Sequence, residues 1–471
     1  MSLHRLAAAV LLPGFHGTTA PDWLLRLLSE GLGGVVYFGR NVVDDAQVTE
    51  LSAALRAARQ DVVIGIDEEG GDVTRLDYGH GSEVPGNHAL GAADDVDLTR
   101  AVAASMAARL AACGVNLDLA PSADLALTLD DPVIGVRAFG SDPVAAGRHV
   151  AAYVEGMQAV GVAACAKHFP GHGASTVDSH VALPVLPRTE QELRDVELVP
   201  FRSAVRAGVR SVMTGHLVVP AWGPLPATLN PRAVEVLRDE LGFTGAIITD
   251  ALDMKAVGGD LAQGSVQSLA AGVDALCLGG EPLDEKTLRD LVDRIVAAVE
   301  RGELSRERLE EAARRTAALG TPPTSVDGHD PEIGLRAARR ALEVRGTLAL
   351  SGPPVVLDLA VEPSIAVGEV PWGLGPYLAE LLPGTTVLEA RSADEVEAAA
   401  GGRTVVVVTR EAHRHAWARE LIRALGSIGL DLVHVETGVP GPDLGTAARV
   451  NTHGGSRVCL RAAAERIAAS T

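Results

Sequence analysis

The chain contains little cysteine and no long uninterrupted apolar run. Its 471 residues include four cysteines, which lie far apart in apolar surroundings: Cys113, Cys165, Cys277 and Cys459. Isolated cysteines of this kind are typical of small buried positions, so they argue against a disulfide framework and favour a reducing, cytoplasmic compartment. No stretch approaches the roughly 20 apolar residues that a membrane-spanning helix requires. We therefore predict no membrane partner, and we interpret the short apolar run at residues 6–12 as a first strand rather than a signal sequence.

Basic residues are scarce relative to acidic ones. The sequence has 41 lysines and arginines against 61 aspartates and glutamates, which gives a formal net charge of -20. The negative electrostatic field of such a chain argues against a nucleic-acid partner, although a local basic pocket could still bind an anion. Aromatic residues are also few, while Ala, Gly, Val and Leu are abundant. This composition and length predict a globular protein with one large domain and one smaller domain.

Apolar runs that could form buried strands alternate with amphipathic segments that could form helices. Eight runs have the strand character: residues 7–12, 34–38, 62–67, 115–120, 161–168, 211–216, 245–250 and 275–279. Seven segments between them have the helical period: residues 21–31, 46–58, 98–113, 143–160, 190–207, 231–241 and 263–271. Eight strands of this kind, buried on both faces and alternating with helices, predict an α/β fold of the TIM (β/α)8 barrel type.

The region after the eighth run predicts a change of domain. Two further helical segments would close the barrel, at residues 283–301 and 305–319, and Pro322-Pro323 follows the second. The alternation then restarts with apolar runs at residues 355–359, 384–388, 404–409 and 430–436. We therefore predict a barrel over residues 1–325, a linker with one helix over 326–350, and a smaller C-terminal α/β sandwich over 351–471.

A cluster of charged residues begins where the fifth predicted strand ends, in Lys167-His168-Phe169-Pro170-Gly171-His172-Gly173-Ala174-Ser175-Thr176-Val177-Asp178-Ser179-His180. Asp178 and His180 lie two residues apart, so the carboxylate could orient the imidazole and hold its proton for transfer. This spacing favours an acid/base dyad at the end of the barrel where such folds carry their chemistry. The alternatives are solvated turn histidines or a structural metal site, and the second is less favoured because no zinc-type Cys or His spacing is present.

Polar residues also follow other predicted strands. Asp67-Glu68-Glu69-Gly70-Gly71-Asp72-Val73-Thr74-Arg75 follows the third strand, Arg137 lies after the fourth, Met213-Thr214-Gly215-His216 ends the sixth, and Asp250 ends the seventh. Because the carboxyl ends of parallel strands meet at one face of a barrel, we expect these side chains to converge.

Each of these residues also has a structural interpretation. Asp250 could cap the next helix, and the two arginines could form surface ion pairs. We interpret Glu68 and Glu69 as solvated acids, and His216 could be a core histidine. Convergence on one face is what favours a functional site over these alternatives.

Four of these blocks together resemble glycoside hydrolase family 3, and within it the β-N-acetylglucosaminidases of the bacterial cell-wall-recycling type. They are Asp67-Glu68-Glu69-Gly70-Gly71, Lys167-His168-Phe169-Pro170-Gly171-His172-Gly173, Asp178-Ser179-His180 and Ile248-Thr249-Asp250-Ala251-Leu252-Asp253-Met254. The resemblance covers roughly residues 1–320, and the rest is similar to the α/β sandwich of two-domain members. Three positions depart from the family pattern: Glu68 stands for a Gln, Asp72 for a frequent Arg, and Val136 for a frequent Asp.

The resemblance implies hydrolysis of terminal β-linked N-acetylglucosamine from glycans or muropeptide-like peptidoglycan fragments. In such an enzyme Asp250 would be the nucleophile, and His180 with Asp178 would form the acid/base dyad. The terminal sugar would be bound by a further set of residues: Asp67, Arg75, Arg137, Lys167, His168 and Met213. No cofactor or metal ion is expected, because the sequence carries no nucleotide-binding fingerprint or metal motif.

Two other functions remain open from the sequence. A neutral histidine acid/base, unlike a carboxylate, would not repel phosphate from a covalent sugar intermediate, so the protein could be a β-N-acetylglucosaminide phosphorylase. A protein that kept the pocket but lost turnover would instead be a non-catalytic carbohydrate-binding protein.

Overall fold

The computed structural model describes residues 1–174, 183–252, 260–323, 328–359, 361, 367–368, 371–390 and 392–471. The strands are β1 (Leu11–Pro13), β2 (Gly34–Tyr37), β3 (Val63–Ile66), β4 (Leu117–Asp118), β5 (Ala163–Phe169), β6 (Ser211–Thr214), β7 (Ala246–Thr249), β8 (Leu276–Leu278), β9 (Glu343–Gly346), β10 (Val355–Asp358), β11 (Thr386–Leu388), β12 (Val405–Thr409), β13 (Leu432–Glu436) and β14 (Ala448–Asn451). The helices are α1 (Leu3–Ala8), α2 (Asp22–Glu30), α3 (Asp45–Ala58), α4 (Asn87–Ala93), α5 (Val96–Ala112), α6 (Pro143–Ala159), α7 (Glu190–Asp195), α8 (Leu198–Arg206), α9 (Pro231–Glu235), α10 (Leu261–Ala271), α11 (Glu285–Glu300), α12 (Arg306–Ala317), α13 (Ile333–Ala341), α14 (Gly375–Leu381), α15 (Ala393–Ala400), α16 (Ala416–Ser427) and α17 (Arg457–Ala468). None of the helices in these ranges is both long and apolar enough to cross a lipid bilayer.

The N-terminal region is built on parallel strands. Strands β2 to β7 form one six-stranded sheet in chain order, and β1 pairs with β8 in a second parallel ladder. A parallel bridge between Ile248 and Ala275 joins β7 to the residue that precedes β8. One apolar cluster includes a residue from every one of these eight strands: Leu12, Val36, Val63, Leu117, Cys165, Met213, Ile248 and Cys277. The predicted α/β class with parallel, fully buried strands is therefore confirmed.

The first predicted strand is partly wrong. Residues 3–8 form helix α1, and the strand is limited to Leu11–Pro13. The helix begins there because the Ser2 side chain accepts a hydrogen bond from the Arg5 backbone N–H, which satisfies one of the free donors of the first turn. Leu6 and Ala7 of this helix are buried against the core. A short apolar run fits a buried helix as well as a strand, so its periodicity could not distinguish them.

The C-terminal region contains a second six-stranded sheet, in the order β11-β10-β12-β13-β14-β9. Five strands are parallel, and β9 pairs antiparallel with β14 at the edge. Apolar side chains at alternate positions along these strands belong to two separate clusters. Val356 and Val433 pack with α14 and α17, whereas Val355 and Val405 pack with α15 and α16. Two strands, β9 and β14, were not predicted, and β9 lies within the predicted linker at residues 326–350.

Helix α13 connects the two sheet regions through small residues. Ala338 and Ala341 of this helix share one apolar cluster with Ala89 of α4 and with Cys459 of α17. Alanine and cysteine side chains allow the three helices to approach closely, so the C-terminal region packs directly against the N-terminal one.

Asp274 anchors the end of the N-terminal sheet opposite the carboxyl ends of the strands. It is fully buried and accepts hydrogen bonds from Arg238 Nη2 at 2.6 Å, from the Ile247 N–H at 2.9 Å, and from Arg308. We predict that Asp274→Ala lowers the free energy of unfolding by about 3 kcal/mol, because it removes the carboxylate partner of the partly buried Arg238 and one of the two carboxylates at Arg308. Denaturant unfolding measures this change.

The matched control is Asp290→Ala, which removes an exposed ion pair with Lys286 and should leave the unfolding midpoint unchanged. Equal stability of the two variants would contradict the anchoring role of Asp274.

Candidate active site

One cavity of about 560 Å³ opens at the carboxyl ends of the N-terminal strands. Every predicted site residue in the described part of the chain lines it: Asp67, Arg75, Arg137, Lys167, His168, Met213 and Asp250. The structure therefore brings these residues together, as the positions after the strands led us to expect. Asp178 and His180, the predicted dyad, lie outside the described residues.

A network of alternating charges forms the floor of this cavity. The Lys167 ammonium contacts Asp67 Oδ1 at 2.5 Å and Glu69 Oε1 at 2.8 Å. Glu69 also accepts two hydrogen bonds from the Arg137 guanidinium, from Nη2 at 2.7 Å and from Nε at 3.0 Å. Parallel bonds of this kind fix both the distance and the plane of an arginine–carboxylate pair. Asp67 and Glu69 follow β3, Arg137 lies after β4 and Lys167 lies near the end of β5, so the network ties three strand ends together.

The network also fixes the charges of its members. Burial alone would raise the pKa of Glu69, but the adjacent Arg137 and Lys167 hold that pKa below its ordinary value. Burial alone would lower the pKa of Lys167, but Asp67 and Glu69 raise it above its ordinary value. Lys167 is therefore an ammonium group at neutral pH. Two of its three N–H bonds serve these carboxylates, and the third can serve a ligand.

His168 is oriented by a buried carboxylate that the sequence analysis did not identify. Its Nδ1 lies 2.7 Å from Asp124 Oδ2, and its Nε2 lies 3.4 Å from Arg137 Nη2. Asp124 also accepts the backbone N–H of His172 at 2.7 Å. Burial opposes ionisation of Asp124, but the neighbouring His168 keeps the pKa of that carboxyl below its ordinary value. An ionised Asp124 favours the tautomer with the proton on Nδ1, which leaves the Nε2 atom of His168 as an acceptor facing Arg137.

Asp250 follows β7 directly and is half-buried at the cavity wall. Its Oδ1 accepts the backbone N–H of Ala251 at 2.8 Å, and its own N–H donates to the Thr214 carbonyl at 3.0 Å. Asp250 does not cap α10, the next described helix, which begins at Leu261 and is capped by Asp260; residues 253–259 lie outside the described part of the chain. The carboxylate accepts the backbone N–H of Ala251 beside the cavity.

The two glutamates of the third strand end are not solvated, so that interpretation is wrong. Glu69 belongs to the charge network, and Glu68 is buried on the other side of the chain, because side chains alternate along an extended segment. Glu68 Oε2 accepts the backbone N–H groups of Arg75 and Leu76 at 2.8 and 2.9 Å. Burial raises the pKa of Glu68 to about 7. It braces the turn that carries Arg75 and does not line the cavity.

His216 matches its structural interpretation as a core histidine. It is fully buried, with Nδ1 2.9 Å from Thr228 Oγ1 and Nε2 2.9 Å from the Ala251 carbonyl. It therefore supports the segment after Asp250 from behind and is not among the residues that line the cavity.

Sequence reasoning missed three residues that help form the site: Glu69, Asp124 and His172. Glu69 could have been found from its position two residues after Asp67, which places both on one side of an extended strand. His172 lies within the charged loop and lines the cavity. Asp124 carries no local signal, because its role depends on contacts with β5 that form only in the folded chain.

The C-terminal region completes one side of the site. Val367 and Gly368 line the cavity. Asp72, which departs from the family pattern, forms an ion pair with Arg410 and accepts the Gly455 N–H at 2.8 Å. The Arg410 guanidinium lies 4.6 Å from the centre of the Trp372 ring. Residues of the C-terminal region thus hold the turn between Glu69 and Val73 in place.

Among the described residues, no three His, Cys, Asp or Glu side chains are placed to share a metal ion. The polar groups of the cavity are cations paired with carboxylates, the His168 imidazole with a partner at each nitrogen, and the Asp250 carboxylate. Such groups are suited to binding a neutral polyhydroxylated ligand through charge-assisted hydrogen bonds.

Comparison with known proteins agrees with this chemistry. Residues 20–319 match the model of the glycosyl hydrolase family 3 N terminal domain. A β-hexosaminidase of Stenotrophomonas maltophilia (strain R551-3) is 42% identical over 259 residues, which are 52% of this chain and 76% of that protein. A second β-hexosaminidase, from Xylella fastidiosa (strain M23), is 39% identical over 280 residues, which are 57% of this chain and 81% of that protein.

Solved structures extend the likeness to the whole chain. A glycoside hydrolase family 3 β-N-acetylglucosaminidase from Paenibacillus sp. str. FPU-7 superposes with a TM-score of 0.89 and 31% identity, covering 100% of this chain and 97% of that one. A β-N-acetylhexosaminidase from Beutenbergia cavernae DSM 12333 gives a TM-score of 0.62 and 28% identity, covering 68% of this chain and 98% of that one. With residues 20–319 matched to this family and most of the cavity lining lying in that range, the chain belongs to glycosyl hydrolase family 3 and is a glycoside hydrolase.

Proposed function

We propose that the protein is a retaining exo-β-N-acetylglucosaminidase, which removes terminal β-linked N-acetylglucosamine from glycans or peptidoglycan fragments. The observation that carries this proposal is the Asp250 carboxylate, which shares one cavity with the Lys167, Arg137 and Glu69 network. A carboxylate beside a sugar-binding site is the nucleophile that retaining glycosidases require. The names of the relatives, β-hexosaminidase and β-N-acetylglucosaminidase, support the sugar assignment.

The sugar is bound by the charge network and the residues around it. Asp67 accepts hydrogen bonds from sugar hydroxyls, while Lys167 and Arg137 donate to them. Such bonds to charged partners are stronger than neutral ones and depend on direction, so they orient the anomeric carbon toward Asp250. Three other residues complete this wall: Arg75, His168 and Met213.

Catalysis proceeds in two displacements. Asp250 attacks the anomeric carbon as the bond to the leaving oxygen breaks, and His180 gives its proton to that oxygen. Water then attacks the covalent glycosyl-enzyme while His180 takes a proton from it, so Asp250 is released and the sugar keeps its β configuration. Asp178 orients the imidazole and supports its charged form, as a buried carboxylate does in a catalytic triad. An unperturbed histidine titrates near 6.5, so it can give and take a proton near neutral pH.

The proposal includes a closed (β/α)8 barrel as the catalytic domain over residues 1–325, a linker and helix over 326–350, and an α/β sandwich over 351–471. The apolar cluster that includes residues of all eight strands supports closure, as does the Ile248–Ala275 bridge. Two apolar clusters on alternating strand positions support the sandwich. A cytoplasmic location is also proposed, because all four cysteines are buried and unpaired.

Hydrolysis of an aryl N-acetyl-β-glucosaminide, measured with and without inorganic phosphate, tests the function. We expect free N-acetylglucosamine at the same rate in both conditions. Formation of sugar 1-phosphate only in the presence of phosphate would show that the protein is a phosphorylase and not a hydrolase. Sugar binding without release of the aryl group would identify a carbohydrate-binding protein instead.

We predict that Asp250→Ala lowers kcat at least about 10⁴-fold, because no covalent intermediate can form without the nucleophile. A 2-deoxy-2-fluoro sugar with a good leaving group should trap the intermediate on the wild-type protein, and mass spectrometry of its peptides should place the label on Asp250. Asp290→Ala, which alters an exposed carboxylate, serves as the control and should keep full activity. A label on Asp67 or Glu69 would contradict the assignment.

We predict that His180→Ala slows the cleavage of each substrate in proportion to how poorly its aglycone leaves. A substrate with a good phenolic leaving group needs little protonation, so its glycosylation step should slow only modestly. A disaccharide should lose roughly 10²- to 10⁴-fold, the usual worth of general acid catalysis. Asp178→Asn should give a milder version of this pattern, because the imidazole stays but loses the charge that supports it. Equal losses for both substrates would mean that His180 only shapes its loop.

The C-terminal region has a positioning role in this proposal. Asp72 lies in the turn that follows Glu69 and precedes Arg75, and its carboxylate is held by Arg410 and by the Gly455 N–H. We predict that Arg410→Gln loosens this turn and raises KM, with a loss of kcat/KM of roughly 10- to 100-fold. Arg410→Lys should recover part of the loss, because it keeps the charge.

The control for this prediction is Arg339→Gln, which removes an exposed ion pair with Glu465 between α13 and α17. Steady-state kinetics of the three variants measure the effect. Wild-type kinetics in Arg410→Gln would show that the C-terminal region only packs against the catalytic region.

A further inference from the structure

His172 is a buried imidazole in the active-site cavity whose two ring nitrogens both lack a hydrogen-bond partner in the structure as described. Its exposed fraction is 3%, so bulk water does not satisfy these atoms. The ring lies edge-on to His168, with the ring centres 6.3 Å apart, and it lines the same cavity as Asp250. By contrast, the buried His216 has partners on both nitrogens, and the buried His149 and His434 each have a partner on one.

The backbone holds His172 firmly in this place. Its N–H donates to Asp124 Oδ1 at 2.7 Å. The next residue, Gly173, packs so closely on Leu125 that an added Cβ would lie 1.6 Å from the Leu125 carbonyl oxygen. A buried polar group without a partner costs about 1–3 kcal/mol. An orphaned polar side chain on a well-held backbone, in a cavity, indicates that a ligand supplies the missing partner.

The charge state of His172 defines which ligand groups fit. Burial lowers the pKa of its imidazole to about 4, against the attraction of Asp124 and in line with the repulsion from His168. The ring is therefore neutral near pH 7 and presents one N–H donor and one lone pair. Such a ring complements a neutral group that both donates and accepts. A sugar hydroxyl and an acetamido group each meet this description.

We propose that His172 is a further substrate-contacting residue, whose ring nitrogens hydrogen-bond to a hydroxyl or to the acetamido group of the sugar bound beside Asp250. This inference rests on the proposed function, because it assumes that the cavity binds N-acetylglucosamine. In the free protein the two ring nitrogens make no hydrogen bond that would stabilise the fold. His172 thus contributes to binding and catalysis and not to folding.

His172→Phe, which keeps a flat ring without nitrogens, tests the proposal. We expect kcat/KM for an aryl N-acetyl-β-glucosaminide to fall about tenfold, the effect of one lost neutral hydrogen bond. The melting temperature should stay the same or rise, because the variant removes buried polar atoms that have no partner. His172→Asn keeps one donor and one acceptor and should recover part of the activity.

A matched control is His149→Phe, which removes a buried histidine outside the cavity that lies 2.8 Å from Thr99 Oγ1. It should show the inverse pattern, a lower melting temperature with unchanged kinetics. A lower melting temperature and unchanged kinetics in His172→Phe would overturn the proposal.

Substrate analogues identify the group that His172 contacts. The aryl β-glucoside replaces the acetamido group by a hydroxyl, and a series of deoxy sugars removes one hydroxyl at a time. The tenfold difference between wild type and His172→Phe should vanish for the analogue that lacks the contacted group. An equal loss for every analogue would contradict a specific contact. Should the wild type fail to cleave any substrate, the proposed function fails, and calorimetric binding of N-acetylglucosamine to both proteins still tests His172.

Discussion

The site depends on one buried carboxylate, Glu69, which is shared between two cations. Arg137 binds both of its oxygens, and Lys167 binds one of them and Asp67 as well. Removing either cation would leave a carboxylate without full compensation at low dielectric, which typically costs several kcal/mol. The strand ends that carry these residues are therefore fixed relative to one another before any ligand binds.

This arrangement suits the proposed binding of a neutral sugar beside the Asp250 carboxylate. The cations of the network are already matched to carboxylates, so they serve as oriented donors to hydroxyl groups. Asp250 lies in the wall of the same cavity, where its Oδ1 accepts the Ala251 N–H and its own N–H donates to the Thr214 carbonyl. Preorganised polar groups of this kind lower the reorganisation needed during the reaction.

The C-terminal region is connected to the charge network through direct contacts. Asp72 is paired with Arg410, 338 residues later in the chain, and the turn that contains Asp72 carries Glu69 at its start. Val367 and Gly368 reach the cavity from the same side. Asp72, one of the three positions where the sequence departs from the family pattern, is thus a point of contact between the two regions.

Strand ends and motif residues could be predicted because their signals are local. Alternating apolar and amphipathic segments indicated the parallel strands, and the residues that follow β3, β5 and β7 do line one cavity. Residues such as Asp124 and Arg410 could not be assigned, because their partners lie far away in sequence. Strands β9 and β14 were missed because polar residues, such as Glu343 in β9 and Asn451 in β14, interrupt their apolar pattern.

We propose that the cavity catalyses a double displacement through Asp250. Proton NMR of the anomeric signal during the first minutes of hydrolysis tests it most directly, since the product has not yet equilibrated between anomers. We predict that β-N-acetylglucosamine forms first and the α anomer appears only later, by mutarotation. Release of the α anomer first would show a single displacement by water, and it would contradict a covalent intermediate on Asp250.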